Sequence, residues 1–400
     1  MPKVSQRSAN MPDSPFSVLI PLAEQAKANG IHVHHLNIGQ PDIPTPQPAL
    51  DSLKNLQMPV IGYGHALGDL PYREKLCGYY EKFGVTGLKP KEVVITQGAS
   101  EALLFAFQAC LNPGDNILIP EPFYANYNGF AGMGDIHVKP VTGFIQDGFA
   151  LPEIQAFEQA IDAHTRALLI NNPSNPTGTV YPEPVLRELA ALVKKYDLFL
   201  IVDEVYREFC FGEQPFFSAL RLEGLEDHVV VIDSISKRYS ACGARTGAIV
   251  SKNPDLLHSI GQYCQQRISP GVFGQVVGEA LLEMSDDYLD SVKAMYEGRR
   301  NVVYERLQQM PGVVSYLPGG AFYCFVELPV DDAFEFCSFL LESFSWKNQT
   351  LMLAHGQAFY ASPGLGKKQA RIAYVLDEAN LHAAMDCLEQ ALAVYPGRTA

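Results

Sequence analysis

The chain has 400 residues, 47% of them hydrophobic, with a formal net charge of −14 and 8 cysteines. That is enough apolar material for two domains with a sizeable core, and the acidic balance argues against nucleic-acid binding through bulk charge. No apolar run is long enough for a membrane span, Met1 to Asn10 lacks the apolar core of a signal peptide, and no cysteines are spaced as CxxC, so the expectation is a cytoplasmic protein with free thiols and no metal site.

Residues 1–15 are mostly polar, contain Pro12 and Pro15, and read as an arm. The apolar periodicity of Phe16 to Lys27 predicts a helix stopping near Gly30. Val33 to Ile38 reads as a short strand. Gly39-Gln40-Pro41-Asp42-Ile43-Pro44-Thr45-Pro46 follows, a proline-stiffened segment suited to presenting backbone groups to a ligand. Tyr63 to Arg73 is turn-rich and leads into a helix near Pro71. Val93 to Thr96 is a predicted strand, Gln97-Gly98-Ala99-Ser100 a turn of small residues, and a helix is expected from Glu101. Such a strand, turn and helix aims backbone N–H groups at an anion.

Further strands are predicted over 116–120, 136–140, 166–171, 198–202, 229–232 and 248–250, with a helix from Pro184 to Tyr196. Apolar strands alternating with helices indicate an α/β protein with a mostly parallel sheet covered on both faces. Polar segments follow the strand ends: Glu121 to Tyr127, Asn172 to Gly178, Asp203-Glu204-Val205-Tyr206, and Asp233 to Tyr239. Open sheets of this kind bind ligands at those ends. The last segment holds Lys237 beside Ser234 and Ser236, with Arg245 eight residues further on. A lysine there can form a Schiff base with a carbonyl cofactor, and serine and arginine are donors for a phosphate.

From Met284 the pattern changes. A charged helix from Asp290 to Met310 is followed by a turn and strand over Tyr316 to Val326 and a helix over 332–344. Strand-like Trp346 to Leu353, a short strand at Arg371 to Tyr374 and a helix from Glu378 to Val394 complete a smaller α+β domain. The expected division is an arm at 1–15, a segment 16–45 that joins the smaller domain, a large cofactor-binding domain at 46–285, and the smaller domain with its linking helix at 286–400.

The order and spacing of these segments resemble the class I and II aminotransferases of fold type I, which use pyridoxal 5′-phosphate, from Phe16 to Val394. The matching segments are Gly39-Gln40-Pro41-Asp42, the Tyr63 to Arg73 loop, Gly98-Ala99-Ser100, Asn172-Pro173-Ser174-Asn175-Pro176-Thr177-Gly178, Asp203-Glu204-Val205-Tyr206, Ser234-Ile235-Ser236-Lys237 with Arg245-Thr246-Gly247, and Arg371. The resemblance implies a seven-stranded, mostly parallel sheet sandwiched by helices. It also implies reversible transfer of an amino group between an L-amino acid and a 2-oxo acid.

By the same resemblance Lys237 corresponds to the lysine that carries the cofactor and moves the substrate's proton. Asp203 corresponds to the partner of the pyridine nitrogen, and Tyr206 and Asn175 to donors to the 3′ oxygen. Gly98, Ala99, Ser100, Ser234 and Arg245 would hold the phosphate, and Tyr124 would stack on the ring. Arg371 and Gly39 would take the substrate α-carboxylate, with Asn175 beside them. Tyr63 would reach the phosphate in a partner subunit, which implies a homodimer with shared sites. The side-chain pocket is expected from Phe16, Val18, Ile38 and Tyr124, with Tyr63 and Ser269 of the partner. Ser100 stands where some bacterial aspartate aminotransferases have a lysine for the distal carboxylate. The reading therefore leans to neutral or aromatic donors, with aspartate aminotransferase and β-lyase activities as the alternatives.

Overall fold

The computed structural model describes residues 2–9, 11, 17–213 and 215–399. The strands, in chain order, are β1 (His32–His35), β2 (Val93–Thr96), β3 (Asn116–Glu121), β4 (His137–Thr142), β5 (Thr165–Asn171), β6 (Phe199–Asp203), β7 (Val229–Ser234), β8 (Gly247–Ser251), β9 (Tyr323–Glu327), β10 (Gln349–Met352), β11 (Ala354–His355) and β12 (Gln369–Ala373). Seven of them form one sheet in the order β2-β8-β7-β6-β5-β3-β4. Every pairing in it is parallel except those of β8, which runs antiparallel to both neighbours. This is the α/β architecture expected, with a large sheet domain and a smaller one.

The central strands are apolar at consecutive positions because both faces of the sheet are covered. Alternate side chains feed two separate cores. Leu168, Ile170, Leu200, Val202, Val229 and Val231 pack with helices Leu70–Glu81 and Glu183–Tyr196. Leu169, Ile201, Val230 and Ile232 pack on the other side with helices Gly98–Cys110 and Pro254–Arg267. A third core joins Leu19, Ala23 and Val33 to helices Asp286–Gln308, Ala333–Glu342 and Glu378–Val394 and to the small antiparallel sheet β11-β12-β9. β1 pairs with β10, which ties the N-terminal segment to that smaller body.

Several elements differ from the sequence expectation. The helix expected from Glu101 starts at Gly98, and the charged helix starts at Asp286, whose carboxylate and that of Asp287 suit a helix N-terminus. The N-terminal helix is confined to Ile20–Ala28, with a 3-10 turn at Ser17–Leu19, and β1 ends at His35. Phe16 lies outside the described residues. Helices Gln47–Lys54, Asn126–Gly134 and Val272–Leu281 were not expected. The last is rich in valine and glycine, a composition that disfavours an isolated helix. Packing decides it: a side chain at Gly278 would meet the buried Tyr72 ring at 2.7 Å, so two helices approach closely there.

Candidate active site

β5, β6 and β7 end in Asn171, Asp203 and Ser234, and the ladder places Asn171 directly beside Asp203. β8 begins where β7 ends, with Ser234 opposite Gly247 and Thr96 of β2 opposite the same glycine. Because β8 is antiparallel, the chain needs no crossover helix between β7 and β8. The intervening segment, which carries Lys237 and Arg245, therefore stays at the carboxyl edge of the sheet. Gly247 has no room for a side chain: a Cβ would lie 2.6 Å from the Gly98 carbonyl carbon and 2.8 Å from the Ala99 nitrogen. The turn after β2 is thereby held against the turn before β8. Gly98 has a left-handed φ of +75° and would place a Cβ 2.6 Å from the Arg245 guanidinium, so both conformation and space call for glycine.

A cavity of about 420 Å³ opens at this edge, and Gly39, Ala99, Ser100, Tyr124, Asn175, Asp203, Tyr206, Ser234, Lys237, Arg245 and Arg371 all line it. These residues come from eight separate stretches of chain. Gly98 lies just behind the lining, under Arg245. Ile38 also lines the cavity. Val18 is exposed and is not part of the wall, and Tyr63 is 84% exposed and lies outside it too. Ser269 is not in the wall either.

Lys237 is half-buried, and its Nζ donates to the Gly39 carbonyl at 2.8 Å. Gly39 thus presents a carbonyl to the lysine, a contact the sequence did not suggest. The loop that carries Gly39 is fixed from two sides. Arg299 of the linking helix grips Asp42 through both oxygens, at 2.6 and 3.3 Å, and Thr45 donates to the Ser240 carbonyl at 2.7 Å. Ser234 caps the short helix Ile235–Arg238 by accepting from the Ser236 N–H, which positions Lys237 on the first turn.

Asp203 is buried, and burial pushes its carboxyl up to about 6, against the Tyr127 hydroxyl that donates to it at 2.8 Å. A buried carboxylate in this state has a large electrostatic incentive to meet a cation. Beneath the site Asp233 is ion-paired with two fully buried arginines, Arg207 and Arg238. Burial alone would raise its carboxyl, but the two guanidinium groups outweigh that and hold it below the usual carboxylate range.

Arg371 on β12 reaches across from the smaller body, donating to Asn175 Oδ1 at 2.8 Å and to the Asn37 carbonyl. With Oδ1 so engaged, the Asn175 amide has its NH₂ for the cavity. The Arg371 guanidinium also lies over the rings of Tyr323 and Phe359, at 4.5 and 4.9 Å. Tyr124 is held by Asn126, which donates to its hydroxyl at 2.8 Å, and burial pushes that hydroxyl up to about 12.

Residues the sequence reading missed are Asn37, Asn171, Tyr127 and Tyr323. Asn171 Oδ1 accepts from the Asn175 N–H at 2.7 Å and its amide donates to the Asp203 carbonyl at 2.8 Å, so it braces two cavity residues at once. Its place at a strand end was a usable signal. Tyr127 closes a polar segment after a strand end, a weak signal of the same kind, whereas Tyr323 carried none, since an aromatic in an apolar run is ordinarily core. Among the described residues no cluster of His, Cys, Asp and Glu is arranged to hold a metal ion, and no helix is long and apolar enough to cross a membrane.

The family model for "Aminotransferase class I and II" matches residues 31–388. This chain belongs to the class I and II aminotransferases. The aspartate aminotransferase of Thermotoga maritima is 31% identical over 392 residues, covering 97% of this chain and 99% of its own. An LL-diaminopimelate aminotransferase of Nitratidesulfovibrio vulgaris is 29% identical, covering 96% and 97%. The crystal structure of the Thermotoga maritima aspartate aminotransferase superposes with a TM-score of 0.89 at 30% identity, over 98% of this chain and 100% of that one. An alanine aminotransferase from Pyrococcus furiosus gives 0.88 at 26% identity, over 97% and 99%. The aminotransferase fold is thus shared by proteins whose names specify different amino donors.

The donor set of this aminotransferase fits pyridoxal 5′-phosphate. The wall holds a buried carboxylate, Asp203; amide and phenol donors, Asn175 and Tyr206; and Arg245 with Ser234 and with Ser100 in the first turn of the helix that starts at Gly98. Half-buried Lys237 lines the same cavity.

Proposed function

We propose that this aminotransferase exchanges an amino group between a neutral or aromatic L-amino acid and a 2-oxo acid, with pyridoxal 5′-phosphate held at Lys237. The observation that carries the reading is the convergence of Lys237, Asp203 and Arg371 on one cavity. When bound, the cofactor supplies an aldehyde for the amino group and a ring that withdraws electrons from the substrate Cα. The protein's own residues do the rest. Asp203 would hold a proton on the ring nitrogen, and Tyr206 and the Asn175 amide would donate to the 3′ oxygen. Ser234, Ser100, Arg245 and the Ala99 N–H hold the phosphate. Arg371 takes the α-carboxylate as a planar fork. The Lys237 amine would serve as the base that takes the substrate Cα proton.

The donor preference rests on charge. Among the described residues the cations in the wall are Lys237, Arg245 and Arg371, each with a role toward the cofactor or α-carboxylate in this reading, which leaves none of them for a distal carboxylate. Burying such a group needs a cation or several donors. Aspartate is the second reading, favoured by the names of several relatives.

The homodimer is supported by an exposed apolar run, with Val60 76%, Ile61 65% and Tyr63 84% exposed, beyond what scattered surface residues explain. Tyr63 then serves the neighbouring site. The division into an arm at 1–15, a joining segment at 16–45, and large and smaller domains at 46–285 and 286–400 belongs to the same proposal.

Borohydride reduction of the loaded protein followed by peptide mapping tests the site, and the expected mass increment is on Lys237. Single-turnover reaction with each of the twenty L-amino acids tests the donor. Aspartate reacting at least about tenfold faster than tyrosine, phenylalanine, alanine and methionine would reverse the preference. Release of ammonia and pyruvate in place of an aminated cofactor would identify a lyase.

A further inference from the structure

Tyr323, the first residue of β9, lines the cavity and touches both Tyr206 and Arg371. Its hydroxyl lies 2.8 Å from that of Tyr206, and the two rings meet edge-on at 5.6 Å. Its face carries the Arg371 guanidinium at 4.5 Å. The same hydroxyl fills the space beside Gly39, where a side chain would begin only 1.7 Å away. Both tyrosines are buried, and each phenol hydroxyl brings one proton to the pair.

Two neutral phenols in contact share one hydrogen bond and keep one further proton. Among the described residues each hydroxyl bonds only to the other. If Tyr206 donated to Tyr323, the remaining proton would sit on Tyr323, against Gly39, and Tyr206 would have none for a ligand. If Tyr323 donates, the Tyr206 proton is free to face the cavity that Tyr206 lines. A donor that itself accepts a hydrogen bond is also a stronger donor.

We propose that Tyr323 is a positioning residue that donates to Tyr206, aiming the Tyr206 proton at the 3′ oxygen of bound cofactor, while its ring supports Arg371 for the substrate carboxylate. The inference rests on the aminotransferase site proposed above and adds a link between its cofactor end and its carboxylate end. The link has a testable asymmetry, because Tyr323→Phe removes the donor and keeps the ring, whereas Tyr323→Leu removes both.

The experiment loads wild type, Tyr323→Phe, Tyr323→Leu and Tyr206→Phe with pyridoxal 5′-phosphate and titrates the visible absorbance of the bound cofactor against pH. Propionate affinity is then read from the change in that absorbance. Weaker donation to the 3′ oxygen raises the absorbance midpoint. Tyr323→Phe should raise it by about half a unit, the scale of one neutral hydrogen bond, and Tyr206→Phe by more. Propionate affinity should stay within about twofold in Tyr323→Phe and fall about tenfold in Tyr323→Leu, as loss of a partly buried cation–π contact implies. An unmoved midpoint in Tyr323→Phe, a shift larger than that of Tyr206→Phe, or unweakened propionate binding in Tyr323→Leu would each overturn the proposal. Absence of a reducible adduct on Lys237 in the wild type is a different outcome: it would overturn the site reading itself and is scored before the variants.

Discussion

Asp203 shows how a single residue can cost stability while serving a site. Its carboxyl is raised by burial to about 6, above the ordinary carboxylate value of 3.8. The folded state therefore holds a proton that the unfolded chain has lost between those two values. Stability falls as pH rises through that window, and above it the buried charge is a standing penalty. Cofactor-free Asp203→Asn is accordingly expected to melt higher than cofactor-free wild type at pH 8, by up to about 3 kcal/mol, with the gain vanishing near pH 4. Its cofactor affinity should drop at the same time. Thermal melts at the two pH values check the sign, and a lower melting temperature for the variant at pH 8 would refute the account. Gly39 is a second such residue. Its need for glycine is steric, since a methyl group would strike the Tyr323 hydroxyl at 1.7 Å. Gly39→Ala should displace either the loop or Tyr323 and raise KM for the amino donor about tenfold or more, with kcat measured alongside.

At the scale of an element, the segment from Asp233 to Arg245 depends on charges beneath it. Arg207 and Arg238 are completely buried and both pair with Asp233, the residue just before Ser234. Glu208 supports them more distantly, at 3.5 and 3.4 Å. Removing Asp233 leaves two buried guanidinium groups with only the longer pairs to Glu208 and, for Arg207, to Glu204 at 3.6 Å. Asp233→Ala should cost about 3–5 kcal/mol at pH 7, measured as a shift in the urea midpoint. Because the Asp233 carboxyl is held below its ordinary value, its contribution is fully present above about pH 4 and is lost only as pH falls further. The difference between variant and wild type should therefore be level from pH 5 to pH 6, below the range in which buried Glu204, raised by burial to about 7 with Asp233 also among the causes, loses its proton. A gap that closes within that range would assign the stability to another group.

At the scale of the whole molecule, the exposed Tyr63 loop makes a protomer's own site incomplete in the proposed reading. Mixed dimers test this. Lys237→Ala and Tyr63→Ala subunits, each inactive or nearly so, would form hybrids in which one of the two sites has both native residues. Random mixing should restore about a quarter of the wild-type turnover, half the dimers being hybrids with one intact site each. Light scattering that finds a monomer, or hybrids with no recovered turnover, would show that Tyr63 acts within its own chain or not at all.

The sequence by itself determined the α/β class, the alternation of apolar strands with helices, and the segments that cluster at strand ends. These are local properties: strand composition follows from burial on both faces, and proline, glycine and serine mark turns through their own backbone chemistry. Lys237 was legible from the serines and arginine set around it, and Asp203 and Arg371 through the resemblance of their segments to the class I and II aminotransferases. Tertiary structure alone decided the rest. The antiparallel course of β8 brings Arg245 back to Gly98, and the register of β5 on β6 sets Asn171 beside Asp203. Helix Val272–Leu281 exists because close packing on Tyr72 outweighs a poor local propensity. Tyr323 reads as an ordinary core aromatic until Tyr206, Arg371 and Gly39, which lie 117, 48 and 284 positions away in the chain, are folded against it. Contacts between residues so far apart leave no periodicity or motif in the chain, so only the folded arrangement could reveal them.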